Sequence, residues 1–206
     1  MKIVAVSDTH MGHSDLRLPE GDILIHAGDA TYMGTIPEIN EFGNWMRNQP
    51  FKHKIFVAGN HDWLFDHNRA YAEKLLHGIT YLQDEEVTVE GLRIYGMPWQ
   101  PAFNQWAFNL ERNSDKMKAV CRKIPSGLDI LVTHGPPILI LDDKKGCECL
   151  MVQVAIKKPK VHIFGHIHAG YGHEKLGPTD FYNVSCMNED YDLVNPFTVI
   201  NYERIP

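Results

Sequence analysis

At 206 residues, 44% hydrophobic and 22% charged, the chain is long enough for one sizeable core and has the composition of an ordinary globular protein. Its 20 Lys and Arg against 26 Asp and Glu leave a formal net charge of −6, and no basic run offers a general nucleic-acid-binding face. No apolar stretch reaches the roughly 18 residues of a membrane span, no signal peptide precedes the first strand pattern, and four cysteines keep no disulfide or zinc spacing, so a cytoplasmic protein with reduced thiols is expected.

In chain order, residues 2–6 read as a buried strand followed by Ser7-Asp8-Thr9-His10-Met11-Gly12-His13. A second apolar run, 22–27, ends in Gly28-Asp29. Thr35 can cap a helix with Pro37 in its first turn, and Ile36, Ile39, Phe42, Trp45 and Met46 share a face. A third strand, 54–58, closes in Gly59-Asn60-His61-Asp62, and 68–77 is a helix stopped by Gly78. Residues 87–96 read as a hairpin, with which a second, antiparallel set of strands is expected to begin. Residues 97–110, rich in proline and aromatics without a period, form a structured loop. Ser114 caps a helix to Lys123, and strand 129–133 ends in His134-Gly135-Pro136-Pro137. A helix over 147–157 precedes strand 161–164, which Gly165 breaks ahead of His166 and His168. Strands 180–185 and 197–202 follow, and with no repeat or linker the chain reads as one domain over 1–206.

The chemistry sits at the strand ends. Asp8 and His10, Asp29, Asn60 and His61, His134, and His166 and His168 each follow an apolar run, and ligands of open α/β sheets gather at the carboxyl ends of strands. Each group alone has a turn or loop explanation. Seven Asp, His and Asn side chains after five separate strands point instead to a metal site. That many N/O donors exceed one tetrahedral zinc and suit two divalent ions with open positions; Mn, Fe, Co, Ni and Zn all qualify, with Mn expected to support activity in vitro. Two such ions favour an anion and acidify water, which is the chemistry of phosphate-ester hydrolysis.

Asp8-x-His10, Gly28-Asp29, Gly59-Asn60-His61-Asp62, Thr133-His134-Gly135-Pro136-Pro137 and Gly165-His166-x-His168 resemble, in order, the motifs of the calcineurin-like metallophosphoesterase superfamily. The stretches 96–101, 106–110, 166–172 and Asn183-Val184-Ser185 resemble its metallophosphoesterase-domain-containing, brain-protein-like branch. The resemblance implies a four-layer α/β/β/α sandwich of two mixed sheets. It implies that Asp8, His10 and His168 bind one metal, Asp29 bridges, and Asn60, His134 and His166 bind the second. It implies attack by a bridging hydroxide with His61 protonating the leaving oxygen. Asp62 either orients His61 or caps a turn.

Two departures bear on substrate. Phosphoprotein phosphatases of the superfamily carry arginines after the Gly-Asp and Asn-His motifs, where this chain has Ala30-Thr31-Tyr32 and Asp62-Trp63-Leu64. A monoester dianion lacks its grip, so a small phosphodiester, a cyclic nucleotide or related nucleotide diester, is the expected substrate; a phosphomonoester, or a non-catalytic metal-binding scaffold, is the alternative. Trp63, Trp99, Phe103, Trp106 and Tyr171 are candidates to stack on a base or simply to pack, with Arg112 and His13 as weaker substrate contacts. Oligomeric state leaves no signature.

Overall fold

The computed structural model describes residues 1–203; residues 204–206, the end of the expected domain, lie outside the described residues. Strands β1 (Lys2–Val6), β2 (Ile23–His26) and β3 (His53–Phe56) are short, buried runs joined by turns and by helix α1 (Ile36–Asn48). Thr35 opens α1 with a complete capping box: its hydroxyl and the Glu38 carboxylate satisfy each other's backbone amides. Helices α2 (Trp63–His67) and α3 (Arg69–Leu75) lead to β4 (Thr80–Tyr81). The hairpin β5 (Glu85–Val89) and β6 (Leu92–Met97) follows, then the two-residue strands β7 (Gln100–Pro101) and β8 (Asn109–Leu110) inside the aromatic loop. Helix α4 (Asp115–Arg122), capped by Ser114, precedes β9 (Ile130–Thr133). Helix α5 (Glu148–Lys157), β10 (Val161–Phe164), β11 (Gly172–Leu176), β12 (Thr179–Asn183) and β13 (Thr198–Asn201) complete the chain.

One sheet has the order β13-β1-β2-β3-β4, parallel except for β13. The other runs β11-β12-β10-β9-β6-β5. The antiparallel expectation for this second sheet holds only at its edges, where the hairpins β5–β6 and β11–β12 sit. Its interior pairs β6–β9, β9–β10 and β10–β12 are parallel: α4 carries the chain back between β6 and β9, α5 between β9 and β10, and the antiparallel edge strand β11 between β10 and β12.

Strand alternation explains the layers. Ile3 and Ala5 of β1 face Ile94, Ile130 and Ile163 of the other sheet across an apolar core, while Val4, Leu24 and Phe56 turn outward onto Ile39, Phe42, Met46, Phe65 and Leu76 of α1, α2 and the end of α3. On the far side, Tyr95, Leu131 and Phe164 meet Met117, Cys121, Leu150 and Val154 of α4 and α5. The result is a four-layer α/β/β/α sandwich. At one edge the two sheets are stitched together: Ser7 N–H donates to Val184 O at 3.0 Å and Cys186 N–H to Ser7 O at 2.8 Å. The strand ends that carry the polar motifs converge on this seam.

Candidate metal centre and active site

Asp8 and His10 follow β1, Asp29 follows β2, Asn60 and His61 follow β3, His134 follows β9, and His166 and His168 follow β10. All but His166 and His168 are buried, and those two are partly so. Asp8, His10, Asp29 and His166 take left-handed φ values of 52°, 37°, 54° and 68°, a strained choice for residues with side chains that turns the chain sharply at the ends of β1, β2 and β10. The motif glycines make room for this. A Cβ on Gly28 (φ +107°) would lie 2.3 Å from His134 Nδ1, and one on Gly165 would lie 2.2 Å from Asp8 Oδ2.

Three sets of side chains bring donor atoms within 4.8 Å of one another: Asp8, His10 and His168; Asp29, His134 and His166; and His10, Asp29 and His61. The ring orientations fit a metal. His10, His134 and His168 each give Nδ1–H to a backbone carbonyl, of Thr31 at 3.2 Å, Ala27 at 3.0 Å and Asn188 at 2.8 Å. That fixes the tautomer and leaves Nε2 facing the carboxylates, as ligand histidines are held in metalloproteins. His134 Nε2 meets Asn60 Oδ1 at 3.0 Å and Asp29 Oδ2 at 3.3 Å, three donors converging on one point. His168 Nε2 lies 3.5 Å from Asp8 Oδ1. His10 Nε2 is buried with no hydrogen-bond partner among the described residues, a bare lone pair 3.9 Å from Asp29 Oδ2. A buried set of imidazole, carboxylate and amide donors suits divalent transition ions.

The electrostatics follow from this crowding. Burial works to raise the Asp8 pKa, but the hydrogen bond and charge of His168 prevail and hold it well below the usual carboxylate range. Asp29 is likewise depressed, by His134 against burial. For His134 and His168, burial opposes the charged form, yet Asp29 and Asp8 respectively lift each to about 9. His166, with burial dominant, drops to about 3.

His61 is held by other means. Its Nδ1–H donates to Tyr32 O at 2.7 Å, its ring stacks on Trp106 with centroids 4.1 Å apart, and His10 meets its edge at 4.6 Å. Among the described residues, no hydrogen bond or ion pair joins the Asp62 carboxylate to the His61 ring. That carboxylate accepts from Gly59 N–H at 2.8 Å, Thr31 N–H at 3.1 Å and Thr31 Oγ1 at 2.7 Å, tying the β2 and β3 turns together. Burial, then the Asp29 charge, raises it to about 6. Of the two roles open to Asp62, its hydrogen bonds fit the turn role, and it is the Tyr32 carbonyl that holds the His61 ring.

A cavity of about 530 Å³ opens over the site, lined by His10, Asp29, Asn60, His61, His166 and His168 on its floor. Phe103, Trp106 and Arg112 also line it. Trp63, Trp99 and Tyr171 do not. Trp63 packs between His67 and Trp106, and Trp99 gives Nε1–H to Asp84 at 3.0 Å with its ring against Phe108. His13 is buried beside Phe42 and Trp45, neither on the surface nor at the site. Arg112 is engaged with Gly146 O at 2.6 Å, Lys145 O at 2.9 Å and Glu148 at 2.7 Å, so it clamps a loop.

Several site residues escaped the sequence reading. Tyr191, at φ 63°, sets its ring 4.8 Å from His10 and 5.5 Å from His168. Asn188 and Tyr32 act through main-chain carbonyls, which no side-chain pattern announces. Ser185, by contrast, lies in a stretch the sequence had marked: its hydroxyl donates to Asp8 Oδ2 at 2.8 Å.

Residues 1–170 match the calcineurin-like phosphoesterase family. The chain belongs to that family. Metallophosphoesterase domain-containing protein 1 of Homo sapiens is 40% identical over 230 residues, an alignment that covers 97% of this chain and 70% of that protein. The UPF0046 protein K07C11.7 of Caenorhabditis elegans is 36% identical over 208 residues, covering 92% and 71%. Among solved structures, a phosphopantetheinyl hydrolase from Mycobacterium tuberculosis shares the fold at TM-score 0.63 and 16% identity, covering 92% of this chain and 90% of that one. Membership of the calcineurin-like family indicates a phosphoric ester hydrolase, and the donor clusters are candidates for the dinuclear metal site typical of it. No helix among the described residues is long and apolar enough to cross a membrane.

Proposed function

We propose that this chain is a metal-dependent phosphodiesterase of small nucleotide diesters, cyclic nucleotides among them. Asp8, His10 and His168 would hold one divalent ion, Asn60, His134 and His166 the other, with Asp29 shared between them. When bound, such a pair supplies Lewis acidity, lowering the pKa of water and stabilising negative charge on phosphoryl oxygens. The chain's own part is to fix the donors by the three Nδ1–H bonds to carbonyls, and to hold a proton at His61. With Nδ1–H committed to Tyr32 O, the Nε2 proton of the imidazolium is the one available to a leaving oxygen.

The observation that carries diester over monoester is the state of the cavity's arginine. Arg112 is the sole arginine among the described residues lining the cavity, and two carbonyls and Glu148 occupy its guanidinium. A phosphate dianion therefore finds no bidentate fork there. A diester, one charge poorer, has less need of one. The test is kcat/KM for bis-p-nitrophenyl phosphate and a 2′,3′-cyclic nucleotide against p-nitrophenyl phosphate, with Mn²⁺ and pH matched. The diesters should lead by at least about tenfold, roughly 1.4 kcal/mol of transition-state discrimination. A preference for the monoester would refute the reading, and no turnover with any divalent ion would favour a binding scaffold.

A further inference from the structure

We propose that the substrate carries a second anion, a phosphate remote from the diester under attack, and that Lys144 is the residue that recognises it. This rests on the phosphodiesterase reading above. A cavity of about 530 Å³ is far larger than one phosphodiester group and falls in the range that holds a nucleotide-sized ligand. One part of its wall is aromatic, with Trp106 partly exposed and Phe103 61% exposed, a surface for a flat base. Another part is the loop between β9 and α5, which carries Lys144 and Lys145.

That loop is built under strain. Leu139, Leu141, Asp143 and Lys144 have φ values of 72°, 49°, 43° and 61°, four non-glycine residues in the left-handed region within six positions. Such conformations persist only where the surroundings over-determine them. Here Asp142 Oδ2 accepts from Leu139 N–H at 3.1 Å and Gly146 N–H at 3.0 Å. Arg112 grips the Lys145 and Gly146 carbonyls, and Asn183 Nδ2 donates to Leu141 O at 3.2 Å. Gly170 lets the loop approach where any Cβ would stand 2.0 Å from Leu141 O.

The charges sort themselves by elimination. Arg112 is paired with Glu148 and Lys145 with Asp143, both at 2.7 Å. Lys144 lines the cavity, exposed, with neither ion-pair nor hydrogen-bond partner among the described residues. Glu189, which also lines the cavity, repels an anion from its own neighbourhood and leaves Lys144 as the attractive point. An ammonium is a compact charge suited to a phosphate terminus. An aromatic wall, a diester site and one free cation on the loop between β9 and α5 together describe a nucleotide diester with an additional phosphate.

The test compares adenosine 2′,3′-cyclic phosphate with and without a 5′-phosphate, in the wild-type enzyme and in Lys144→Ala and Lys144→Glu. The wild type should favour the 5′-phosphorylated substrate at least tenfold in kcat/KM. That ratio should collapse toward one in Lys144→Ala and invert in Lys144→Glu. Calorimetric affinities for adenosine 2′,5′-bisphosphate and adenosine 2′-monophosphate, measured with metal and in chelator, should show the same ratio and the same loss. Diester cleavage with no 5′-phosphate preference, or a preference that Lys144→Ala retains, overturns the proposal. Lys144-dependent bisphosphate selectivity in a protein that cleaves no diester would uphold the anion site while the phosphodiesterase reading fell.

Discussion

His61 has one ring nitrogen tied to the Tyr32 carbonyl and a face covered by Trp106, so its direction is set by neighbours that do no chemistry themselves. General acids contribute about 10²–10⁴-fold, and His61→Ala should lose that much kcat on diesters with poor leaving groups while keeping its metal. The loss should shrink for p-nitrophenolate, which needs no proton; equal losses for good and poor leaving groups would remove His61 from the acid role. Trp106→Ala should follow the same leaving-group pattern in weaker form. An aromatic pair is worth about 0.5–1.5 kcal/mol, or roughly two- to tenfold in kcat, with Trp106→Phe restoring most of it. A change confined to KM would make Trp106 a substrate contact only. Asp8, His10, Asp29, Asn60, His134, His166 and His168 were legible because each follows an apolar strand and is bracketed by glycine or a polar turn. Tyr32 and Asn188 were not, since a carbonyl is the same in every residue, and Tyr191 sits in a loop without periodicity.

At the scale of elements, the first sheet could be read almost strand by strand, because buried parallel strands are continuous apolar runs. In the second, every strand but β11 could be read as well, but the pairing could not. The exposed sequence Gly172–Leu176 of β11 carries no apolar pattern, and the β5–β6 hairpin argued for antiparallel order that the crossovers through α4 and α5 override. Short α2 was hidden because its five residues follow directly on the Asn60-His61-Asp62 motif and are too few to show a helical period. The turns between elements are where backbone and site meet. Gly165→Ala places a Cβ against Asp8 Oδ2 and Ser7 Oγ, both 2.2 Å away, which must push the seam apart. We expect lower thermal stability and weakened metal retention, measured by calorimetry and elemental analysis. Wild-type values for both would mean that the close approach is unimportant.

For the whole molecule, metal and pH are the levers on stability. Ions that bind only the folded site stabilise it by mass action, so chelation should lower Tm by at least about 5 °C for a protein of this size. An unchanged Tm would argue against a preformed site. Acid acts through buried histidines outside the candidate ligand set. His162 gives Nε2–H to Thr133 Oγ1 at 2.9 Å, has no partner for Nδ1 among the described residues, and is pushed by burial to about 3. Its folded-state pKa lies below the unfolded value, so between pH 6.5 and 3 the unfolded state binds the proton and the folded state does not. The stability it contributes is complete above 6.5 and is lost as pH falls through that window. In chelated protein, His162→Gln should flatten the fall of Tm between pH 6.5 and 4, and an unaltered slope would assign the acid sensitivity elsewhere.

The central claim is that strand ends from two sheets meet to hold two ions around Asp29. Elemental analysis of protein reconstituted with Mn²⁺ and freed of excess tests it most directly, in wild type and in Asp29→Ala. The account predicts two equivalents per chain in the wild type and less than one in the variant, with the fold retained by circular dichroism. Two equivalents kept in Asp29→Ala, or fewer than one in the wild type, would contradict it.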